Sequence, residues 1–189
     1  MLKYKVLLAS KSPRRREIMN LLRIPYTVVT IEGIDESYPD NLDADRVAKY
    51  ISNKKADEYL KRIKENEMVI TADTVVINEG KILGKPKNER DAIEMLKFLS
   101  GKTHKVVTGV TVATKDKRES FSTETYVTFA DLTEDEIRFY VETFHPMDKA
   151  GAYGIQEWIG AVAVSKIDGS FYNVMGLPVH RLYRLLKQF

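Results

Sequence analysis

Apolar, β-branched runs alternate along this chain with stretches of helical periodicity. Residues 4–10 form a short strand-like run, and residues 13–23 follow as a predicted helix opening on Pro13, a residue preorganised for a first turn. Residues 26–31 predict a second strand. Over residues 43–64, Val47, Ile51, Tyr59 and Ile63 recur on one face, as in a long amphipathic helix. Residues 68–77 are almost continuously apolar, the pattern of a central strand covered on both faces. Asn78-Glu79-Gly80 then predicts a turn into a short strand over 81–83, and residues 88–99 a helix capped by Asn88.

The second half is richer in strand signal. Residues 103–114 and 119–132 predict a long hairpin around 115–118. Thr133 caps a predicted helix reaching Phe144, with Glu136 at the capping-box position. Residues 160–167 predict a strand and 178–189 a closing helix. The alternation predicts an α/β fold with a mixed sheet, in one or two lobes. A doubly wound dinucleotide fold is excluded, because no G-x-G-x-x-G follows the first strand.

The 189 residues suffice for one sizeable core or two small lobes, and 43% hydrophobic with 30% charged residues excludes a disordered polyelectrolyte. No apolar run approaches the length of a membrane span, and the N-terminus lacks the pattern of a signal peptide, so a soluble cytoplasmic protein is expected. The absence of cysteine removes disulfides, thiolate nucleophiles and thiolate metal sites. A net charge of +3 is too small for a nucleic-acid-binding face, so neither nucleic acid nor membrane is expected as a partner.

Local charge changes the picture at Ser10-Lys11-Ser12-Pro13-Arg14-Arg15-Arg16. Ser12 and Pro13 suit the cap and first turn of a helix, yet three arginines there oppose the helix dipole. A bound anion removes the conflict, since free N–H groups, hydroxyls and guanidinium forks all suit phosphate oxygens; a solvated basic turn is the bland alternative. Asp73 interrupts the apolar run 68–77, where a carboxylate is costly unless paired, hydrogen-bonded or metal-bound. Thr71 and Thr74 offer local rescue. A strand-borne aspartate also suits a divalent cation or a polarised water.

Lys55 lies on the apolar stripe of its helix, four residues from both Ile51 and Tyr59, and either snorkels at the core edge or reaches a functional site. Lys54 falls on the polar side. Gly84-Lys85-Pro86 places a lysine in a stiff corner. In residues 148–156 two glycines permit close backbone approach, and Gln156 offers a donor and an acceptor for a base edge. His104, His145 and His180 have no metal-ligand spacing, and no G-x-S-x-G elbow accompanies them. Polyphosphate chemistry fits this inventory best.

Ser10-Lys11-Ser12-Pro13-Arg14-Arg15, Ala72-Asp73-Thr74-Val75-Val76, Gly84-Lys85-Pro86, Ser100-Gly101-Lys102-Thr103-His104, 148–156 and 169–178 together resemble, in order and over essentially the whole chain, the Maf family of nucleoside triphosphate pyrophosphatases. The resemblance implies an elongated mixed α/β sheet flanked by helices, in two lobes with a central cleft, similar to inosine triphosphate pyrophosphatases, and a single Maf-like domain over 1–189. It implies Asp73, Lys55 and Lys85 as catalytic groups, and Ser10, Ser12, Arg14, Arg15, Thr74 and Gln156 as substrate contacts. Asp73, with either Asp35 or Glu36, would hold Mg²⁺ or Mn²⁺. Residues 150–156 resemble the branch acting on dTTP and UTP, possible modified pyrimidine nucleotides included, and a homodimer is implied. The family's association with septum formation gives the alternative expectation of a nucleotide-binding regulator with a division-protein partner.

Overall fold

The computed structural model describes residues 3–189. Along the chain, β1 (Lys5–Ala9) leads to α1 (Pro13–Leu21), β2 (Tyr26–Val29) and α2 (Ala44–Leu60). Then come β3 (Glu67–Asn78), β4 (Lys81–Leu83), α3 (Glu89–Leu99), β5 (Thr103–Ala113) and β6 (Arg118–Phe129). The last part holds α4 (Glu134–Phe144), two short 3₁₀ turns, α5 (Trp158–Val162), β7 (Val164–Asp168), α6 (Phe171–Val174) and α7 (Val179–Leu186). The strands form one mixed sheet in the order β2-β1-β3-β5-β6-β7, with β4 paired to β3, and helices fill the connections. The mixed α/β sheet expected from sequence is what the chain forms. Among the described residues no helix is long and apolar enough to cross a membrane.

Packing divides the chain into two compact units. One comprises the residues up to Asp73, with Thr108–Thr123 and Gly176–Phe189. Within it β1 pairs in parallel with β2 (Leu8 opposite Val28) and with β3 (Leu8 opposite Ile70). Parallel neighbours need crossovers, which α1 and α2 supply. The predicted stripe of α2 is buried at Val47, Ile51 and Tyr59, and the helix ends at Leu60, so the buried Ile63 follows it in a turn. The backbone of α2 lies directly on β5: a Cβ built on Gly109 would stand 2.3 Å from Lys49 N and 2.4 Å from Ala48 C. Thr71 donates to the Ser52 carbonyl at 2.7 Å, so its hydroxyl serves α2 rather than Asp73.

The second unit comprises Thr74–Val107 and Glu124–Met175. Asn88 caps α3, accepting from Asp91 N at 2.9 Å, and Thr133 and Glu136 form the full capping box of α4. The rings of His104, Phe129 and Tyr153 pack edge to face, with centroids 4.9–5.4 Å apart. The strand expected over 160–167 needs correction: α5 occupies its first half, and β7 begins only at Val164. Gly160 N donates to Glu157 O at 2.9 Å, and a Cβ at Gly160 would stand 1.7 Å from the Ile155 carbonyl oxygen. That close approach turns the chain where the sequence, a short apolar run, suits helix and strand equally. Residues 169–178, the last of the matched motifs, contain α6, capped by Ser170.

Candidate active site

The β1–α1 junction is built as the sequence suggests. Ser12 caps α1, its Oγ accepting from Arg15 N at 3.4 Å, and the Oγ of buried Ser10 accepts from Ser12 N at 3.2 Å. A hydroxyl that accepts in this way keeps its own proton to donate. The first turn of α1 holds no acidic residue. Arg14 and Arg15 are half-buried there, and Arg15 is fixed by donating from Nε to Gly176 O at 2.7 Å. Burial pulls the Arg15 guanidinium below the ordinary arginine value; Asp73 and Glu36 oppose that shift, while Arg14 adds to it. This guanidinium therefore sits in the field of both carboxylates.

Lys55 joins those carboxylates. Its Nζ lies 2.8 Å from Asp73 Oδ1 and 2.9 Å from Glu36 Oε1, with Lys55 14% and Asp73 15% exposed. The inward-facing lysine of α2 and the carboxylate that interrupts β3 are each other's partners, which is how a half-buried charge on an apolar stripe is tolerated. Glu36 arrives from the loop after β2. Ile31 and Ile34 anchor that loop against a cluster of Leu7, Ala9, Tyr59, Ile63, Val69 and Ala113, and Ile31 N donates to Tyr59 OH at 2.9 Å.

Asp35 points elsewhere. Its Oδ2 accepts from Lys54 Nζ at 2.6 Å, and its Oδ1 from Ser37 N at 2.9 Å. Lys54 also donates to the Ser37 carbonyl at 2.8 Å. The hydrogen bond from Lys54, then those from the Ser37 amide and hydroxyl, hold the Asp35 carboxyl down at about 2. Of the adjacent acids, Glu36 is brought to Lys55 and Asp73, while Asp35 ties down the loop beside it. Sequence reasoning placed Lys54 on a solvated face and missed this contact; no periodicity in a loop could have signalled it.

The remaining candidates belong to the second unit. Lys85 is exposed beside the buried Pro86, and its corner is tied to the 3₁₀ turns by Gly151 N donating to Gly84 O at 3.0 Å. Thr74 follows Asp73 along β3 and is half-buried. Gln156 is exposed at the end of the buried run 151–155. Its Nε2 lies 3.0 Å from where a Cβ of Gly154 would stand, so glycine leaves the amide its room. Beneath it lies a network missed in the sequence, in which Tyr140, Lys149 and Glu157 are joined.

Among the described residues no three His, Asp or Glu side chains gather as a complete metal cage. Glu36 and Asp73 nevertheless converge from a loop and a strand on one cationic head. Two hard carboxylates suit Mg²⁺ or Mn²⁺ when phosphate oxygens and water complete the shell, so the donor set fits such an ion.

Fold and site together define a mixed α/β protein with a lysine–carboxylate centre beside an arginine-rich helix start. The chain belongs to the Maf-like protein family, which it matches over residues 5–189. It is 54% identical, over 98% of its length and 96% of the relative's, to a protein of Bacteroides fragilis named dTTP/UTP pyrophosphatase. A protein of the same name from Phocaeicola vulgatus is 53% identical over the same shares. The solved structure of a HAM1 protein from Coxiella burnetii aligns with 98% of this chain and 100% of its own at 14% identity and a TM-score of 0.48.

Proposed function

We infer that this protein is a nucleoside triphosphate pyrophosphatase that hydrolyses dTTP and UTP to the nucleoside monophosphate and pyrophosphate. Relatives of that name, about half identical over nearly the whole chain, supply the substrate. The observation that carries the chemistry is Lys55 Nζ held 2.8 Å from Asp73 and 2.9 Å from Glu36.

Attack of water on the α-phosphorus needs a proton acceptor, charge neutralisation on the phosphates and a stabilised leaving group. The Asp73 carboxylate, fixed on a strand, orients the attacking water and takes its proton. Glu36 and Asp73 would hold Mg²⁺ or Mn²⁺, which supplies positive charge against the phosphate oxygens. Lys55 balances the two carboxylates and presents its ammonium to the phosphates. Arg14 and Arg15, with the hydroxyls of Ser10 and Ser12 and the N–H groups of the α1 start, bind the triphosphate. Lys85 adds charge toward the leaving pyrophosphate, and Thr74 and Gln156 position the nucleoside; these three roles rest on the motif match.

Asp73→Asn keeps an acceptor for Lys55 but cannot take a proton. Pyrophosphate release from UTP should fall about a thousandfold or more, with the thermal midpoint shifted by only a few degrees. Turnover near that of the wild type removes Asp73 from the mechanism.

A further inference from the structure

The residue proposed to contact the nucleoside stands on a turn that one buried hydroxyl pins at both ends. Tyr140, on α4, is fully buried, and its ring stacks on Phe144 with centroids 5.1 Å apart. The hydroxyl accepts from Gly154 N at 3.0 Å and donates to Glu157 Oε2. Glu157 N donates to Gly154 O at 3.0 Å, closing the four-residue turn 154–157. The other Glu157 oxygen lies 3.1 Å from Nζ of Lys149, whose ammonium also meets Asp148 Oδ1 at 2.8 Å. Lys149 is itself only 7% exposed.

We propose that Tyr140, acting through Gly154 and Glu157, is the positioning residue that orients Gln156 and thereby sets the preference for uracil and thymine over cytosine. The proposal rests on the reading of Gln156 as a nucleoside contact. Phenylalanine would fill the same core, so what the tyrosine adds is its hydroxyl. Burying that hydroxyl is costly unless both its partners are in place. Both partners lie on the turn whose exposed polar side chain is Gln156.

The chemistry of the bases gives the turn its use. Thymine and uracil carry a carbonyl oxygen at the position where cytosine carries an amino group. A glutamine amide donates at one end and accepts at the other, so an amide free to swivel reads either group. The backbone sets where that amide stands against the base edge, and the two bonds to Tyr140 with the Gly154–Glu157 bond hold the backbone against a roll that would carry the amide off that edge. The Glu157–Lys149 pair keeps the carboxylate oriented toward the hydroxyl, and Asp148 still pairs the Lys149 ammonium when the Glu157 charge is removed.

The test is the ratio of kcat/KM for UTP over CTP, read as pyrophosphate release. It is measured for the wild type, Tyr140→Phe, Glu157→Gln, Gln156→Ala and the double variant Tyr140→Phe/Gln156→Ala. Tyr140→Phe should narrow the ratio roughly three- to tenfold, the range one oriented hydrogen bond gives, through KM with kcat held within about twofold; Glu157→Gln, whose amide oxygen still accepts from the hydroxyl but without the charge, should narrow it by less. The double variant should match Gln156→Ala, because Tyr140 acts only through that residue. Glu157 is part-exposed, so its variant keeps the test open if Tyr140→Phe fails to fold. If Gln156→Ala narrows the ratio while Tyr140→Phe and Glu157→Gln leave it unchanged, or if the effects simply add, the proposal is overturned and Gln156 keeps its role. If Gln156→Ala itself leaves the ratio unchanged, the reading of Gln156 fails and the proposal falls with it.

Discussion

A charge in an apolar pattern tells more than a charge on a polar face, and Lys55 and Asp73 illustrate this. Each violates its own element's periodicity, and the structure makes them partners at 2.8 Å, with Glu36 completing the group. Lys55→Met would leave two carboxylates converging without their cation. It should cost about 2 kcal/mol in urea unfolding, below the range for a fully buried pair because Glu36 is half exposed. Added Mn²⁺ should raise the variant's unfolding midpoint more than that of the wild type, since no ammonium then competes for the carboxylates. Unchanged stability would mean that the lysine is a bystander. That Asp73 and Lys55 are special was legible because strand and helix have periods against which an intruder stands out. Which of Asp35 and Glu36 joins them was not, because a loop has no such period. Ile31, Ile34 and the Tyr59 hydroxyl place the loop, and Lys54 and Ser37 claim Asp35 within it.

Elements with strong end signals match their predicted bounds within a few residues. Ser12-Pro13, Asn88 and Thr133 each cap the helix expected of them, because a capping side chain answers a local need that sequence alone displays. Of the strand expected over 160–167 only the part from Val164 forms, because the apolar run there carries no period and the turn depends on Gly160 meeting the Ile155 carbonyl. The seating of α2 on β5 has the same character. Gly109 reads as an interruption in an apolar strand, yet it is the contact that lets α2, and with it Lys55, lie where it does. Gly109→Ala would place a methyl group 2.3 Å from Lys49 N, and the obstacle is backbone. It should destabilise the protein by about 2–3 kcal/mol and lower turnover along with stability. An alanine variant of wild-type stability and activity would mean that the helix seats elsewhere.

For the whole molecule, the alternation of strands and helices was sufficient to expect one mixed sheet, because each parallel pairing needs a crossover and the chain supplies one. What it could not show was the interior of the second unit, where His104 is 1% exposed and bonded through Nε2 to Tyr153 OH at 2.7 Å. Burial holds this imidazole down at about 4, from an ordinary 6.5. A histidine kept neutral in the native state binds its proton first in the unfolded chain. Global stability should therefore fall as pH drops from about 6.5 toward 4, with a contribution of up to about 1.4 kcal/mol per pH unit that His104→Asn abolishes. A variant with the same slope as the wild type would assign that proton to another group. The reaction itself is the central claim, and product analysis tests it most directly. With Mg²⁺ or Mn²⁺ present, pyrophosphate and orthophosphate release are followed across dTTP, UTP, CTP, ATP, GTP and 7-methyl-GTP. Pyrophosphate without orthophosphate, from dTTP and UTP well ahead of the others, is the predicted result; orthophosphate release, or no release despite binding, would contradict it.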